Sequence, residues 1–262
     1  MPITRPAIFL VLVAVIASLS VAAGCSAIVV TGSGETATWD MDYTDFNKIE
    51  VSSAFEVEVS RADNYLVRIT IDKTLYEYLK IDQRGSTLRI GLKPNYTFQG
   101  TTQRAVINLP DLHRLELSGA SKAVVTGFLV THSLDFEISG ASQMDLGPTI
   151  AGNSDFKLSG ASRATGDIQM DDGKFDLSGA STLELSGSGD DVTIRGSGAS
   201  SLTLPDFELA TAEIDLSGVS HAVISVSSRM DVKLSGGSIL EYSGEPKLGS
   251  LNVSGGSTIT QR

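Results

Sequence analysis

A single cysteine, Cys25, is all that 262 residues contain, so no disulfide forms within the chain and its stability must come from packing and backbone pairing. Basic residues are also short: 20 Lys and Arg face 31 Asp and Glu, a net charge of -11. That balance argues against nucleic acid and anionic lipid as principal partners, because both reward Lys and Arg; cations and basic partners remain open. Only seven prolines interrupt the chain, and 41% of its residues are hydrophobic, enough for one sizeable core and too many for a disordered chain. The histidines His113, His132 and His221 stand at different offsets from the Ser-Gly repeat of the C-terminal half and have no His or Cys companions. They read as separate surface histidines and not as a zinc site. The many serines lack a nucleophile-elbow context, and the glycine motifs end strands without opening a helix that could cradle phosphate. A glycosidase or polysaccharide lyase would need clustered carboxylates in a cleft and aromatic side chains to stack on sugar rings, and outward aromatics are almost missing from the C-terminal half.

What is present begins with a targeting segment. Arg5 precedes an apolar run from Ala7 to Leu19, and the small residues Ala22-Ala23-Gly24 stand directly before Cys25. This resembles the lipobox of bacterial lipoproteins. The resemblance implies removal of residues 1–24 as a signal peptide and acylation of Cys25 on its thiol and its new amine. Two or more acyl chains anchor stably where one binds only marginally, so the mature chain is expected outside the cytoplasm, lipid-anchored to a membrane of the cell envelope. Two other readings stay open. An uncleaved membrane helix is one, since apolar character continues through Ala27-Ile28-Val29-Val30 and nearly reaches the roughly 20 residues needed to span; simple secretion is the other. Residues 25–44 read as a polar tether, and 45–262 as one folded domain.

Internal repeats dominate the chain from Leu115 onward. A Ser-Gly-x-Ser motif begins at Ser118, Ser139, Ser159, Ser178, Ser197, Ser217, Ser235 and Ser254, at intervals of 18 to 21 residues. Apolar residues stand three and one positions before the first Ser in seven of the eight copies, as in Leu115/Leu117, Phe136/Ile138, Phe156/Leu158 and Phe175/Leu177, with a polar residue between them. This period of two marks a strand with one face in and one face out. A second short alternation follows the motif, as in Leu183-Glu184-Leu185 and Leu240-Glu241-Tyr242. Two strands of this length cannot bury their apolar face alone, so successive units must stack. The repeats therefore predict a parallel β-helix with coils of about 19 residues, in which Phe136, Phe156 and Phe175 share an inward column.

The Ser-Gly pairs Ser118-Gly119, Ser139-Gly140, Ser159-Gly160 and Ser178-Gly179 read as structural corners. Glycine supplies the unusual backbone angles, and the serines can bond between coils and to the backbone. Gly196 breaks the pattern, standing where every other copy has Leu, Ile or Val; with the polar stretch 186–191 before it, this predicts a bulge, a local weakness or a backbone contact. Asp171-Asp172 and Asp190-Asp191 occupy the same loop columns of adjacent coils, with Asn153 one coil earlier. Such oxygen-rich loops suit Ca²⁺, the one cofactor the sequence offers, or else form a solvated acidic edge helped by Lys174. They do not match the glycine-rich nonapeptide that binds calcium in other β-solenoids.

Residues 46–110 are less regular. Phe46, Ile49 and Val51 followed by Ser52-Ser53-Ala54 and Phe55–Val59 look like a degenerate copy of the unit; Leu66–Ile71, Leu88–Leu92 and Ala105–Leu109 read as further strands, and Thr74–Leu79 as a short helix or turn. Nine of the sixteen aromatic residues fall between Trp39 and Phe98, so this portion reads as an aromatic-rich cap for the solenoid end.

The Leu-x-Leu-Ser-Gly-Ala-Ser unit, the Phe46-x-x-Ile49 approach, the Ile107-x-Leu109-Pro110-x-Leu112-x-x-Leu115 run and the lipobox-like Cys25 together resemble the bacterial auto-transporter adhesin, head GIN domain family. The resemblance covers roughly Phe46 to Thr260. It implies a right-handed parallel β-helix at the cell envelope and carries over no catalytic residues. The expected function is that of a non-enzymatic envelope lipoprotein, an adhesin or surface-binding module whose ligand is a protein or glycan. A signalling or structural partner of a membrane protein and a polysaccharide-active enzyme are the alternatives. An exposed aromatic patch around Trp39, Tyr43, Tyr76, Tyr78, Tyr96 and Phe98 would favour either binding reading over the enzyme.

Overall fold

A computed structural model describes residues 28–262, so the expected signal peptide over residues 1–24 and Cys25 lie outside the described residues. The chain winds into a β-solenoid of about seven turns with about 20 residues per turn. Each coil gives one strand to each of two faces. On the first face Lys48–Val51, Arg114–Leu117, Leu134–Ile138, Ser154–Leu158 and Gly173–Leu177 stack in parallel. On the second, Glu56–Arg61, Lys122–Thr126, Gln143–Ile150 and Arg163–Gln169 do the same. From Thr182 the chain passes from one face to the other without a break, in the long strands Thr182–Gly196, Ser201–Leu216 and His221–Leu234.

Register follows from the alternating pattern, because a slip of one residue would turn every apolar side chain outward. Leu115, Phe136, Phe156, Phe175, Ile194, Ile214 and Val232 are paired one above the next, and all are buried. The Phe136 and Phe156 ring centroids are 4.9 Å apart, and those of Phe156 and Phe175 5.5 Å. Phe207 extends the aromatic stack from another coil position, 6.4 Å from Phe175. Leu251 and Val253 hold equivalent places in the last coil but are exposed, since no further coil lies on them among the described residues.

The corners show why glycine recurs. Gly160 has φ +74°, and a Cβ there would lie 2.5 Å from the Gly140 carbonyl oxygen. That close approach places the Ala161 N–H 2.7 Å from the same oxygen, and Ala180 donates likewise to Gly160 and Ala199 to Gly179. The first serine of the motif reaches back to the previous coil, as Ser139 Oγ does to the Leu117 carbonyl at 3.3 Å. The fourth serine is buried, and Ser121 Oγ donates to the Ser118 carbonyl at 2.8 Å. Gly196 keeps its register between Leu177 and Leu216; a Cβ there would lie 2.7 Å from Leu216 Cδ2 and 3.2 Å from Ser200 Oγ, so neighbouring side chains occupy the space. The polar stretch before it belongs to a strand, with a register shift against the next coil between Glu184 and Gly187.

At the N-terminal end pairing changes direction. Thr87–Leu92 and Gln103–Leu109 still lie parallel to the first coil, but Leu79–Arg84 and Leu66–Asp72 pair with them antiparallel, linked by the 3-10 helix Lys73–Tyr78. The tether expected over residues 25–44 is corrected here. Ile28–Thr31 pairs with Tyr96–Gln99, and Thr36–Met41 pairs antiparallel with Leu66–Asp72. Ala37, Trp39 and Met41 alternate with exposed polar residues, which is strand patterning within a segment whose overall polarity suggested a linker.

Asp72 fastens this segment to the cap. Its side chain is buried and accepts five hydrogen bonds: from the Ser33 N–H at 3.1 Å, Ser33 Oγ at 2.9 Å, the Gly34 N–H at 2.8 Å, the Thr74 N–H at 2.9 Å and Thr74 Oγ1 at 2.8 Å. Burial alone would raise the carboxyl pKa, but the bonds from Thr74, Ser33 and Gly34 outweigh it and hold the group well below the usual carboxylate range.

Two predictions follow from these contacts. Phe156→Ala empties a fully buried site between two other rings and should cost about 3 to 5 kcal/mol in chemical unfolding. Lys157→Ala, one residue on and exposed, should cost only about 0.5 kcal/mol. Similar losses at both positions would refute the register. Because the folded pKa of Asp72 is depressed, its contribution is fully present above its unfolded pKa of about 4 and fades as pH falls through that value toward the folded one. Asp72→Asn should therefore be less stable than the natural protein at neutral pH, with a gap that narrows in acid; a gap of constant size in denaturation at both pH values would contradict this linkage.

Candidate functional site

Outward positions of the first face form a column of alternating charge. Glu137, Lys157, Asp176, Arg195, Asp215 and Lys233 occupy consecutive coils in strict register. Lys233 Nζ lies 2.7 Å from Asp215, Arg195 lies 3.6 Å from Asp176, and Lys174 lies 2.9 Å from the same Asp176. Each half-exposed pair adds little stability, typically under about 1 kcal/mol. The six side chains line one open groove together with the serines of the neighbouring corners. The face thus presents fixed, alternating charges at the coil spacing.

The acidic loops stack as their spacing predicts but do not converge. The Asp172 N–H donates to Asn153 Oδ1 and the Asp191 N–H to Asp172 Oδ1, each at 3.3 Å, so Asn153, Asp172 and Asp191 form a ladder between coils. Asp190 donates its N–H to the Asp171 carbonyl at 2.7 Å. No three of Asp171, Asp172, Asp190 and Asp191 bring a carboxylate oxygen each within 4.8 Å of one another. Of the two readings open for these loops, this arrangement is that of an acidic edge, built as a ladder of side-chain acceptors in which Asn153 does the same work as Asp172.

The histidine expectation is also corrected. His113 and His132 stack face to face, ring centroids 4.0 Å apart and planes 7° apart, and share one carboxylate. His113 Nε2 lies 2.9 Å from Asp111 Oδ2, and His132 Nε2 lies 2.7 Å from Asp111 Oδ1. His132 Nδ1 lies 2.9 Å from the Ser133 carbonyl. Burial disfavours the charged form of His132, but the bonds to Ser133 and Asp111 outweigh it and raise its pKa; burial likewise acts against the Asp111 carboxylate, and the two imidazoles overcome it and lower its pKa. Asp111 and His113 precede the strand Arg114–Leu117, while His132 stands in the loop before Leu134–Ile138 of the next coil. Measured from the Ser-Gly motif the two histidines fall out of phase. They are 19 residues apart where the local coil interval is 21, so no spacing rule joins them and the pairing depends on the path of the loop before Leu134. His221 pairs separately with Glu241 at 2.9 Å.

The N-terminal aromatics are neither core nor a single open patch. Trp39, Tyr43, Tyr78 and Phe98 are partly buried against the core, and Tyr76 is 59% exposed. Trp39 packs on Tyr76 at 5.1 Å, and Tyr78 on Tyr96 at 4.7 Å and Phe98 at 5.6 Å.

None of the curated proteins is significantly similar to this chain in sequence. Solved structures share its fold. A protein of Parabacteroides merdae ATCC 43184, described as a putative adhesin, is 17% identical with a TM-score of 0.81 over 90% of this chain and 100% of its own. A protein of Parabacteroides distasonis ATCC 8503, described as a putative lipid binding protein, is 19% identical with a TM-score of 0.83 over 89% of this chain and 99% of its own. A putative adhesin of Bacteroides fragilis NCTC 9343 is 16% identical with a TM-score of 0.69 over 89% of this chain and 100% of its own. The family model described as "Putative auto-transporter adhesin, head GIN domain" matches residues 45–246, which takes in the charged column and the His113–His132 pair, and the chain belongs to that family.

Proposed function

We propose that the chain is a non-enzymatic binding module of the cell envelope, held to a membrane by acylated Cys25 and contacting a protein or glycan through the first face of its solenoid. The charged column from Glu137 to Lys233 carries this reading: six outward groups are fixed at the coil repeat and line an open groove. Strand pairing holds their backbones rigid, so little ordering entropy is lost when a partner with repeating polar groups docks. Membership of an adhesin family supports a binding role. Anchoring rests on the small residues before Cys25 and the apolar run preceding them. No helix of the described residues is long and apolar enough to cross a membrane.

The alternative in which the chain partners a membrane protein draws support from the half-buried aromatic group at the N-terminal end. Its Tyr96 and Phe98 pair with Ile28 and Val30, only a few residues after Cys25. In that reading the aromatic end, and not the charged face, makes the contact.

Replacing Cys25 by Ser should block processing and abolish partition of the mature protein into detergent; unchanged mass and partition would end the lipoprotein reading. The binding face has its own test. A Lys157→Glu, Arg195→Glu, Lys233→Glu variant makes every charge in the column negative and should lose at least tenfold in signal on a glycan array or in capture from envelope extracts. Undiminished binding by a folded variant would move the contact off this face.

A further inference from the structure

We propose that Asp111, His113 and His132 bind a divalent transition-metal ion of the zinc class, which joins the loops of two successive coils. One oxygen of Asp111 and one ring nitrogen from each histidine all lie within 4.8 Å of one another, and among the described residues no other group of three or more His, Cys, Asp or Glu side chains does so. Bonds to zinc of about 2.0–2.1 Å place neighbouring tetrahedral donors roughly 3.4 Å apart. The present contacts of 2.9 Å and 2.7 Å need only a modest spread to admit the ion.

The hydrogen bonds of His132 already hold it in the form a metal ion needs. Its Nδ1 faces the Ser133 carbonyl at 2.9 Å, an oxygen that can only accept, so Nδ1 carries the proton. In the neutral ring Nε2 then bears a lone pair, and it faces a carboxylate oxygen at 2.7 Å. A proton on the ring, a proton on the carboxyl group or a metal ion can each stand between these two atoms, and a metal ion would use the same Nε2 and carboxylate lone pairs. A backbone carbonyl on the remote nitrogen is also what commonly orients a metal-binding histidine and fixes its tautomer.

The donor set selects the class of ion. Two imidazoles and one carboxylate suit zinc, cobalt, nickel or copper, whereas calcium and magnesium favour shells made of oxygen. The stacked rings, with planes 7° apart, cannot both aim their lone pairs at one point. Binding therefore turns at least one ring about its Cβ–Cγ bond, and His113, with its side chain 39% exposed, has room to turn. Asp111 and His132 are 43% and 32% exposed, so three protein donors leave a coordination position facing solvent for water or for a carboxylate or imidazole of a partner. Occupancy of this site is independent of Cys25 processing and of the charged face.

The full chain, without an added histidine tag and stripped with a chelator, would be titrated with Zn²⁺ by calorimetry. One ion per chain should bind, Zn²⁺ should raise the unfolding temperature, and Ca²⁺ at the same concentration should not. Co²⁺ in place of Zn²⁺ should give the visible absorption bands of a four- or five-coordinate site. His132→Ala should weaken zinc binding at least tenfold. His221→Ala, which removes a histidine paired with the single carboxylate Glu241, should leave binding unchanged. Absence of stoichiometric zinc binding, or affinity unchanged by His132→Ala, would overturn the site. If His132→Ala fails to fold, His113→Gln retains a donor for Asp111, and undiminished zinc affinity in that variant would overturn it equally.

Discussion

Parallel pairing of equivalent residues on consecutive coils is the constraint on which everything else in this molecule rests. From Arg114 onward each strand takes its backbone partners from the coil before and, up to the last coil, offers the same groups to the coil after. Because the pairing is in register, any property of one coil is repeated at the strand spacing. Apolar residues become a continuous interior stack, glycine corners become a ladder of close backbone contacts, and outward charges become a column. A change at one level is felt by its two neighbours and little beyond, as in other stacked-repeat proteins.

The same constraint makes the ends costly, since an open parallel edge exposes unpaired backbone groups. At the N-terminal end the chain meets this by reversing direction: antiparallel strands from Leu66 to Arg84 lie against the first coils, and Thr36–Met41 is laid on them in turn. A buried carboxylate, Asp72, ties the turn at Ser33 and Gly34 to Thr74 with five hydrogen bonds, so the first described residues are firmly attached to the solenoid. Any load on an anchor at Cys25 would pass into the fold through this point and through the pairing of Ile28–Thr31 with Tyr96–Gln99.

Stacking also shapes the chemistry of the surface. Charges of alternating sign at the coil spacing neutralise one another locally, so negative charge does not accumulate in the column from Glu137 to Lys233. In the acidic loops, Asn153 and Asp172 each turn a side-chain oxygen to a backbone N–H of the next coil. Asp111 is placed differently, since its two oxygens meet imidazoles from two coils, and opposite tendencies of charge draw that group together.

Much of this was legible in the residues alone. The Ser-Gly-x-Ser spacing and the alternation around Phe136, Phe156 and Phe175 determine the strands, the corners and the inward columns, because both strand alternation and corner chemistry are properties of neighbouring residues. The stacking of Asn153, Asp172 and Asp191 was legible for the same reason: their offsets from the motif are nearly constant. What the tertiary structure alone decided lies where the chain departs from the period. The loop before Leu134–Ile138 belongs to the longest interval between motifs, 21 residues, and its path brings His132 onto His113 although the two are out of phase with their corners. Thr36–Met41 has strand patterning but too little apolar content to declare a partner, and it becomes a strand only because Leu66–Asp72 offers an open edge. In both cases the outcome depends on a surface supplied by residues distant in sequence, and local pattern does not carry that information.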